Sequence, residues 1–371
     1  MALFGKFWDR LAPKPRAVSS QAATSKAVHA DARRSAQIDD YVSGQVRSGE
    51  PGLAIAIVKS GAIVHAAGYG MADLHANAAI EPDTIFHMAS CGKQLTGLGI
   101  LMLAEAGKLD LDDPVILHLP RLAGFGRKVT IRHLLHHTSG IRDFYDEDSI
   151  GEVLERCERP ANADIIGAYA DLGCPMAGPG IQPGDEFCYS NSGYDLLGSV
   201  IERASGQSYR DFFQSRVFDR LGMGDTFTAP GSRLNDPRRA AGYALDHNDD
   251  FADFGGSAYD DLVGSGSFYT TVFDLCRYDQ ALAANLLVST ASMRVALTSG
   301  HTNNGQLTNY GFGWYVGIYE GMPFADHQGE WIGYNAYICR YLDRPLSIFI
   351  LSNHPGIDLV ELADVATAVY R

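Results

Sequence analysis

The sequence predicts an α+β fold: an antiparallel sheet assembled from both ends of the chain, flanked by helices, with a helical domain inserted between. Three observations predict it. β-rich runs occur near the start (LAIAIVKSG and AIVHAAGYG) and return near the end (YGFGWYVGIYE, YNAYICRYL and LSIFILSN). One long apolar helix follows the first pair. Between them, short helical pieces and Gly/Pro/Asp-rich connections replace the strand pattern.

Taken in order, residues 1–34 read as a disordered tail with a local charge of +5. Its Phe4, Phe7, Trp8 and Leu11 offer an apolar edge for a membrane or a partner. Ordered structure is expected from near Ser35, where SAQIDDYVSGQV reads as a helix stopped by Gly49 and Pro51. The two following β-rich runs flank a Gly turn and read as a hairpin. IFHMASCGKQLTGLGILMLAEAGKL then reads as a core helix beginning near Ser90, with Leu95, Leu98, Leu101, Met102 and Ala106 on its buried face. Residues 35–115 and 261–371 are thus expected to form the sheet domain, and 116–260 the helical insertion. DLVELADVATAVYR reads as a closing helix. No fixed-period repeat is present.

Composition narrows the function. The 371 residues are 46% hydrophobic and 20% charged, ordinary for a globular protein. A net charge of −14 argues against nucleic acid, whose phosphates require clustered Lys and Arg. No run has the length and apolarity of a signal peptide or a bilayer span. The six cysteines are scattered with no CxxC pair, which fits free thiols in a reducing, cytoplasmic setting.

Three short elements carry chemistry. Ser90-Cys91-Gly92-Lys93 places a hydroxyl and an amine one helical turn apart, so the amine can take the serine proton. Alone, Ser90 would be explained as a helix cap. Tyr189-Ser190-Asn191 stands where a Gly/Pro-rich loop meets a helix; a tyrosine there can act as base and then acid, and Asn191 can bridge Lys93 and substrate. Alone, Asn191 would be an Asx cap of the helix YDLLGSVIERA. His327-Gln328-Gly329-Glu330-Trp331 precedes the strand YNAYICRYL. Gly329 permits close approach of a substrate carbonyl, and the N–H groups of Glu330 and Ser90 can form an oxyanion hole. His327 can donate to the substrate or to Tyr189.

In this order the three elements resemble the serine β-lactamase-like superfamily, which includes class C β-lactamases, DD-peptidases, D-aminopeptidases and family VIII carboxylesterases. Ser90 to Lys93 matches its Ser-x-x-Lys motif, Tyr189 to Asn191 its Tyr-x-Asn motif, and His327 to Gly329 its Lys/His-x-Gly motif. IRHLLHHTSGI, GSGSFYTTVFDLCRY, YGFGWY and Asn353 extend the likeness over roughly residues 40–370. The resemblance implies a β-lactamase/transpeptidase-like fold with the site between sheet and insertion, and His327–Gly329 on an edge strand. It implies Ser90 as nucleophile, Tyr189 as favoured base with Lys93 lowering its proton affinity, and Glu330 N–H as the second oxyanion donor.

Two departures bear on substrate. His327 replaces the lysine of classical β-lactamases and is a poorer anchor for a carboxylate near neutral pH. Glu330 and Trp331 stand where small residues are usual, and a carboxylate there repels an anionic substrate. The reading is therefore a serine hydrolase forming an acyl-enzyme on a small-molecule ester or amide, carboxylesterase first. D-aminopeptidase or other amidase, β-lactamase and acyltransferase activities are the alternatives, and a non-catalytic scaffold on the same fold is the competing class. No metal or organic cofactor is called for. His133, His136 and His137 in RHLLHH lack the His-Glu-x-x-His spacing. Acidic clusters in RDFYDEDSIGEVLE and DHNDDFADFGGSAYDD read as solvated loops which, if they rim the cleft, favour cationic or neutral substrates.

Overall fold

The computed structural model describes residues 27–144, 151, 154–229, 232–254 and 256–371. At its centre is an antiparallel sheet of seven strands among the described residues: β1 (Val28–His29), β2 (Leu53–Lys59), β3 (Ala62–Tyr69), β4 (Tyr315–Tyr319), β5 (Met322–Trp331), β6 (Tyr334–Tyr341) and β7 (Leu346–Ser352). Their spatial order is β1-β3-β2-β7-β6-β5-β4. The two halves of the chain meet where β2 pairs with β7, from Leu53 opposite Ser352 to Lys59 opposite Leu346. The main helices are α1 (Ala32–Gln45), α2 (Lys93–Glu105), α3 (Asn162–Asp171), α4 (Asn191–Ser205), α5 (Val272–Ala283) and α6 (Leu359–Tyr370).

β2 is apolar at nearly every position because helices cover both faces of the sheet. Leu53, Ile55 and Ile57 pack with Ile348 and Ile350 beneath Ile38 and Val42 of α1 and Leu359 and Leu362 of α6. Ala54, Ala56 and Val58 face the other way, into the larger core shared with Leu95 and Leu98 of α2 and Val272 and Leu275 of α5. Of the thirteen residues of α2, ten are buried, so this is the central helix the sequence predicts. Between the two sequence halves lie α3, α4 and several single turns; Ile165 of α3 and Leu197 and Val200 of α4 join the larger core.

Three details differ from the sequence reading. Order begins before Ser35: Val28 and His29 pair with Ala66 and His65 of β3, and α1 starts at Ala32, capped by Asp31. Residues 1–26, the rest of the expected tail, lie outside the described residues. The insertion is not purely helical. Phe227–Thr228 pairs with Phe268–Thr270, and Tyr243–Leu245 forms a hairpin with Phe251–Asp253. RHLLHH yields only a short helix, Ile131–Leu135, ended shortly after by His137 at φ 56. The sheet ends in β4 rather than β5, yet the third-motif half of β5 is itself an open edge, as the resemblance implies. β4 pairs β5 only from Met322 to Asp326, so the half of β5 holding His327 to Trp331 lies beyond that pairing. Among the described residues no helix is long and apolar enough to cross a membrane.

Candidate active site

Ser90 lies in a 3-10 turn, Ala89–Gly92, that feeds directly into α2. Ala89 adopts φ 47, a left-handed conformation that costs an L-residue roughly 1–2 kcal/mol. Two hydrogen bonds hold it there. Met88 N–H donates to Phe268 O at 2.9 Å and Ala89 N–H to His87 Nδ1 at 3.1 Å. Two glycines close on the turn from opposite sequence regions. A Cβ on Gly329 of β5 would fall 2.7 Å from Met88 O and 3.0 Å from Ser90 N, and one on Gly266 would fall 2.8 Å from Ala89 O. Gly329 therefore brings β5 against the turn, with Glu330 next along the strand.

Lys93, at the first position of α2, is fully buried. Its Nζ meets three oxygens: Ser90 Oγ at 3.0 Å, Asn191 Oδ1 at 2.7 Å and Ser265 O at 2.8 Å. The rings of Tyr189 and Tyr194 stand 4.9 and 5.7 Å from it. Burial pulls the ammonium down to about 7, against the Asp195 and Asp143 carboxylates, which hold it up. In the amine form its two N–H groups can serve Asn191 and Ser265, leaving the lone pair for the Ser90 proton.

Tyr189, Ser190 and Asn191 are positioned by the start of α4. Ser190 is the N-cap, its Oγ accepting from Gly193 N at 3.1 Å. The Asp143 carboxylate accepts from Asn191 N at 2.6 Å and from Ser192 Oγ at 2.8 Å. The capping role is thus met by Ser190 and Asp143, which leaves the Asn191 side chain for Lys93. Burial pushes the Tyr189 phenol well above its ordinary value, and a hydrogen bond with Ser90 works the other way.

His327 does not face the cleft. It is buried, with Nε2 accepting from Tyr310 Oη at 3.0 Å and Nδ1–H donating to Gln328 O at 2.6 Å. Burial and the Lys93 charge pull it down to about 3, so it is neutral. Its ring centroid is 6.2 Å from that of Tyr189, and no hydrogen bond joins the two in the way the sequence allowed. The three histidines of RHLLHH take separate tasks. His133 caps its own helix, His136 meets Tyr310 O at 2.9 Å, and His137 Nδ1 accepts from Ser190 N at 3.0 Å.

In front of Ser90 is a cavity of about 120 Å³ whose lining includes Asn191, Ser265, Glu330 and Trp331. Glu330 is exposed and Trp331 half-buried, its Nε1–H donating to Asp260 Oδ1 at 3.0 Å. The structure thus gathers Ser90, Lys93, Tyr189, Asn191, Gly329, Glu330 and Trp331, and turns His327 aside. Sequence reading missed Asp195, Ser265, Asp143 and Tyr310. Asp195 Oδ1 accepts from Ser265 N at 3.0 Å, behind the carbonyl that meets Lys93. Its signal was present: a charged residue inside the apolar stripe of α4, four positions after Asn191.

A model of the Beta-lactamase family matches residues 37–369. Penicillin-binding protein 4* of Bacillus subtilis (strain 168) is 33% identical over 318 residues, covering 80% of this chain and 66% of that protein. Protein flp of Staphylococcus aureus (strain MW2) is 34% identical over 215 residues, 56% of this chain and 41% of its own. The chain spans less than two thirds of these relatives. The octameric penicillin-binding protein homologue from Pyrococcus abyssi superposes with a TM-score of 0.77 at 28% identity, covering 91% of this chain and 76% of that one. D-amino acid amidase from Ochrobactrum anthropi SV3 gives a TM-score of 0.72 at 22% identity, over 91% of this chain and 96% of its own, a likeness of fold alone.

Proposed function

Because this chain belongs to the Beta-lactamase family, we propose that it is a serine hydrolase working through a Ser90 acyl-enzyme, and that its substrates are small esters. The observation that carries this reading is the triple contact of Lys93 Nζ with Ser90, Asn191 and Ser265. A buried lysine held 3.0 Å from a serine hydroxyl serves proton transfer; a scaffold gains nothing from the desolvation.

Lys93, as the amine, takes the Ser90 proton while Oγ attacks the ester carbonyl. This differs from the expectation that Tyr189 is the base: a phenol held well above its ordinary value is an acid at neutral pH. Tyr189 gives its proton to the leaving alkoxide, and the Lys93 ammonium then returns a proton to the Tyr189 phenolate, which restores the amine while Ser90 Oγ is held as the ester. The N–H groups of Ser90 and Glu330 carry the oxyanion. Water then enters, loses a proton to the same base, and releases the acid and Ser90.

An amide is the second reading, favoured by Tyr189 as a protonated acid suited to an amine leaving group. A β-lactam or peptide carboxylate lacks the anchor that a lysine at position 327 would give. Wild type and Ser90→Ala, incubated with nitrophenyl butyrate, a chromogenic cephalosporin and a D-alanyl anilide, test these readings by turnover and intact mass. An acyl adduct on wild type alone is expected with the ester. Equal turnover by Ser90→Ala would sink the nucleophile assignment.

A further inference from the structure

The wall of the cleft beyond Ser90 is chemically distinctive. It includes His87, Tyr259, Asp260, Glu330 and Trp331: two carboxylates and three aromatic rings, with no Lys or Arg among the described lining residues. The carboxylate of Asp260 is fixed by neutral donors. Trp331 Nε1–H binds Oδ1 at 3.0 Å and Ser257 N–H binds Oδ2 at 3.1 Å. The guanidinium groups nearby are engaged elsewhere. Arg159 gives Nε and Nη2 to Asp261 at 2.7 and 2.6 Å, and Arg239 donates to Leu234 O and the Tyr334 hydroxyl, both at 2.8 Å. His87 stacks on Trp331 with centroids 6.1 Å apart at 27°. Burial pulls its pKa down to about 4, so it adds no positive charge.

A carboxylate that shares one cavity wall with an indole and a phenol is a seat for an ammonium group. The carboxylate supplies charge attraction, the aromatic wall supplies apolar contact for the alkyl groups of the cation, and a cavity of this size excludes much of the water that would screen the charge. The same wall opposes a carboxylate. Tyr189, the proposed acid for the leaving group, is not in the lining, whereas Ser90, Asn191 and Ser265 are. Ser90 lines the cleft, so an acyl group carried on its Oγ has this space to occupy.

We propose that the chain selects esters or amides whose acyl part carries an ammonium group, seated against Asp260, Trp331 and Tyr259 while the carbonyl lies on Ser90. This rests on the hydrolase reading and names its substrate class.

Three nitrophenyl esters of similar reach test it: 4-(trimethylammonio)butanoate, its neutral isostere 5,5-dimethylhexanoate, and the hemiglutarate anion. For the wild type, kcat/KM should fall in that order, with the cation at least about tenfold above the isostere. Asp260→Asn should bring that ratio to within about twofold of unity, and Trp331→Leu should lower it part of the way. Without any variant, tetramethylammonium should compete with the neutral ester on the wild type, and tert-butanol at equal concentration should not. Equal turnover of cation and isostere, preference for the anion, a ratio unmoved in folded Asp260→Asn, or no competition by tetramethylammonium would each overturn the proposal while leaving the hydrolase reading intact. Silence toward all three esters with no adduct on Ser90 would overturn both.

Discussion

Tyr310 donates its hydroxyl proton to Nε2 of His327 across 3.0 Å, and the other ring nitrogen of His327 serves Gln328 O. Both nitrogens are spent within the protein. The third-motif residue that the resemblance placed against the substrate instead ties the base of β5 to the loop before β4.

The first prediction concerns that tie. His327→Ala removes the acceptor of the buried Tyr310 hydroxyl and should cost about 1–3 kcal/mol at pH 7, measured by urea unfolding. Burial holds the folded-state pKa of His327 at about 3, below its unfolded value of about 6.5. The unfolded chain therefore binds the extra proton first. The contribution of His327 is full above about 6.5 and is lost as pH falls toward 3. The variant should lose less stability than wild type between pH 6.5 and 4. Its preference between the nitrophenyl ester and the cephalosporin should not move, since the ring touches neither.

Lys93 sets a pH dependence of the opposite kind, in rate. Its ammonium form, dominant below about 7, cannot accept the Ser90 proton. kcat/KM for a nitrophenyl ester should rise through about pH 7 and level off above it. Lys93→Arg, which stays charged at every working pH, should lose about a thousandfold or more. A flat profile from pH 5 to 9 would remove Lys93 from the role of base.

Asp195 should move that profile without taking part in the reaction. Its carboxylate favours the Lys93 ammonium and also holds Ser265 N–H. Asn in its place keeps an acceptor for Ser265 and removes the charge. The rising limb of Asp195→Asn should therefore shift to lower pH, with the plateau little changed. A lower plateau and an unmoved limb would mean that Asp195 only supports the loop.

Gly329→Ala places a methyl 2.7 Å from Met88 O and 3.0 Å from Ser90 N, where main chain has no room to give. Displacing β5 from the turn moves the Glu330 N–H off the oxyanion. Acylation, read from burst kinetics, should slow about a hundredfold or more, with a lower melting temperature.

Much of the fold was legible because it is written in local pattern. LAIAIVK and LSIFILS could only be strands covered on both faces, and α2 declares itself by being apolar all round. Ser90, Lys93, Tyr189 and Asn191 were legible through order and spacing. The orientation of His327 was not, because it depends on Tyr310, which is remote from the motif and reads as one more aromatic. Asp260 was visible only as part of an acidic stretch. Its place beside Trp331 arises from a loop whose path no periodicity encodes. Most of RDFYDEDSIGEVLE falls outside the described residues. The open edge at His327 to Trp331 was implied by the resemblance, but that it arises because β4 pairs no farther than Asp326 is a matter of strand length that YGFGWY does not reveal.

The left-handed turn at Ala89, clamped between Gly266 and Gly329, separates two jobs that many proteins entangle. Its shape is enforced by main-chain atoms from β5 and the loop before Phe268, with the His87 ring accepting the Ala89 N–H. The walls that sort substrates are side chains: Tyr259, Asp260 and Trp331. Exchanging Tyr259 or Asp260 leaves the two glycine contacts untouched. The reactive serine behaves as a fixed anvil, while the recognition wall is an interchangeable fitting that can be re-cut for a new acyl group one residue at a time.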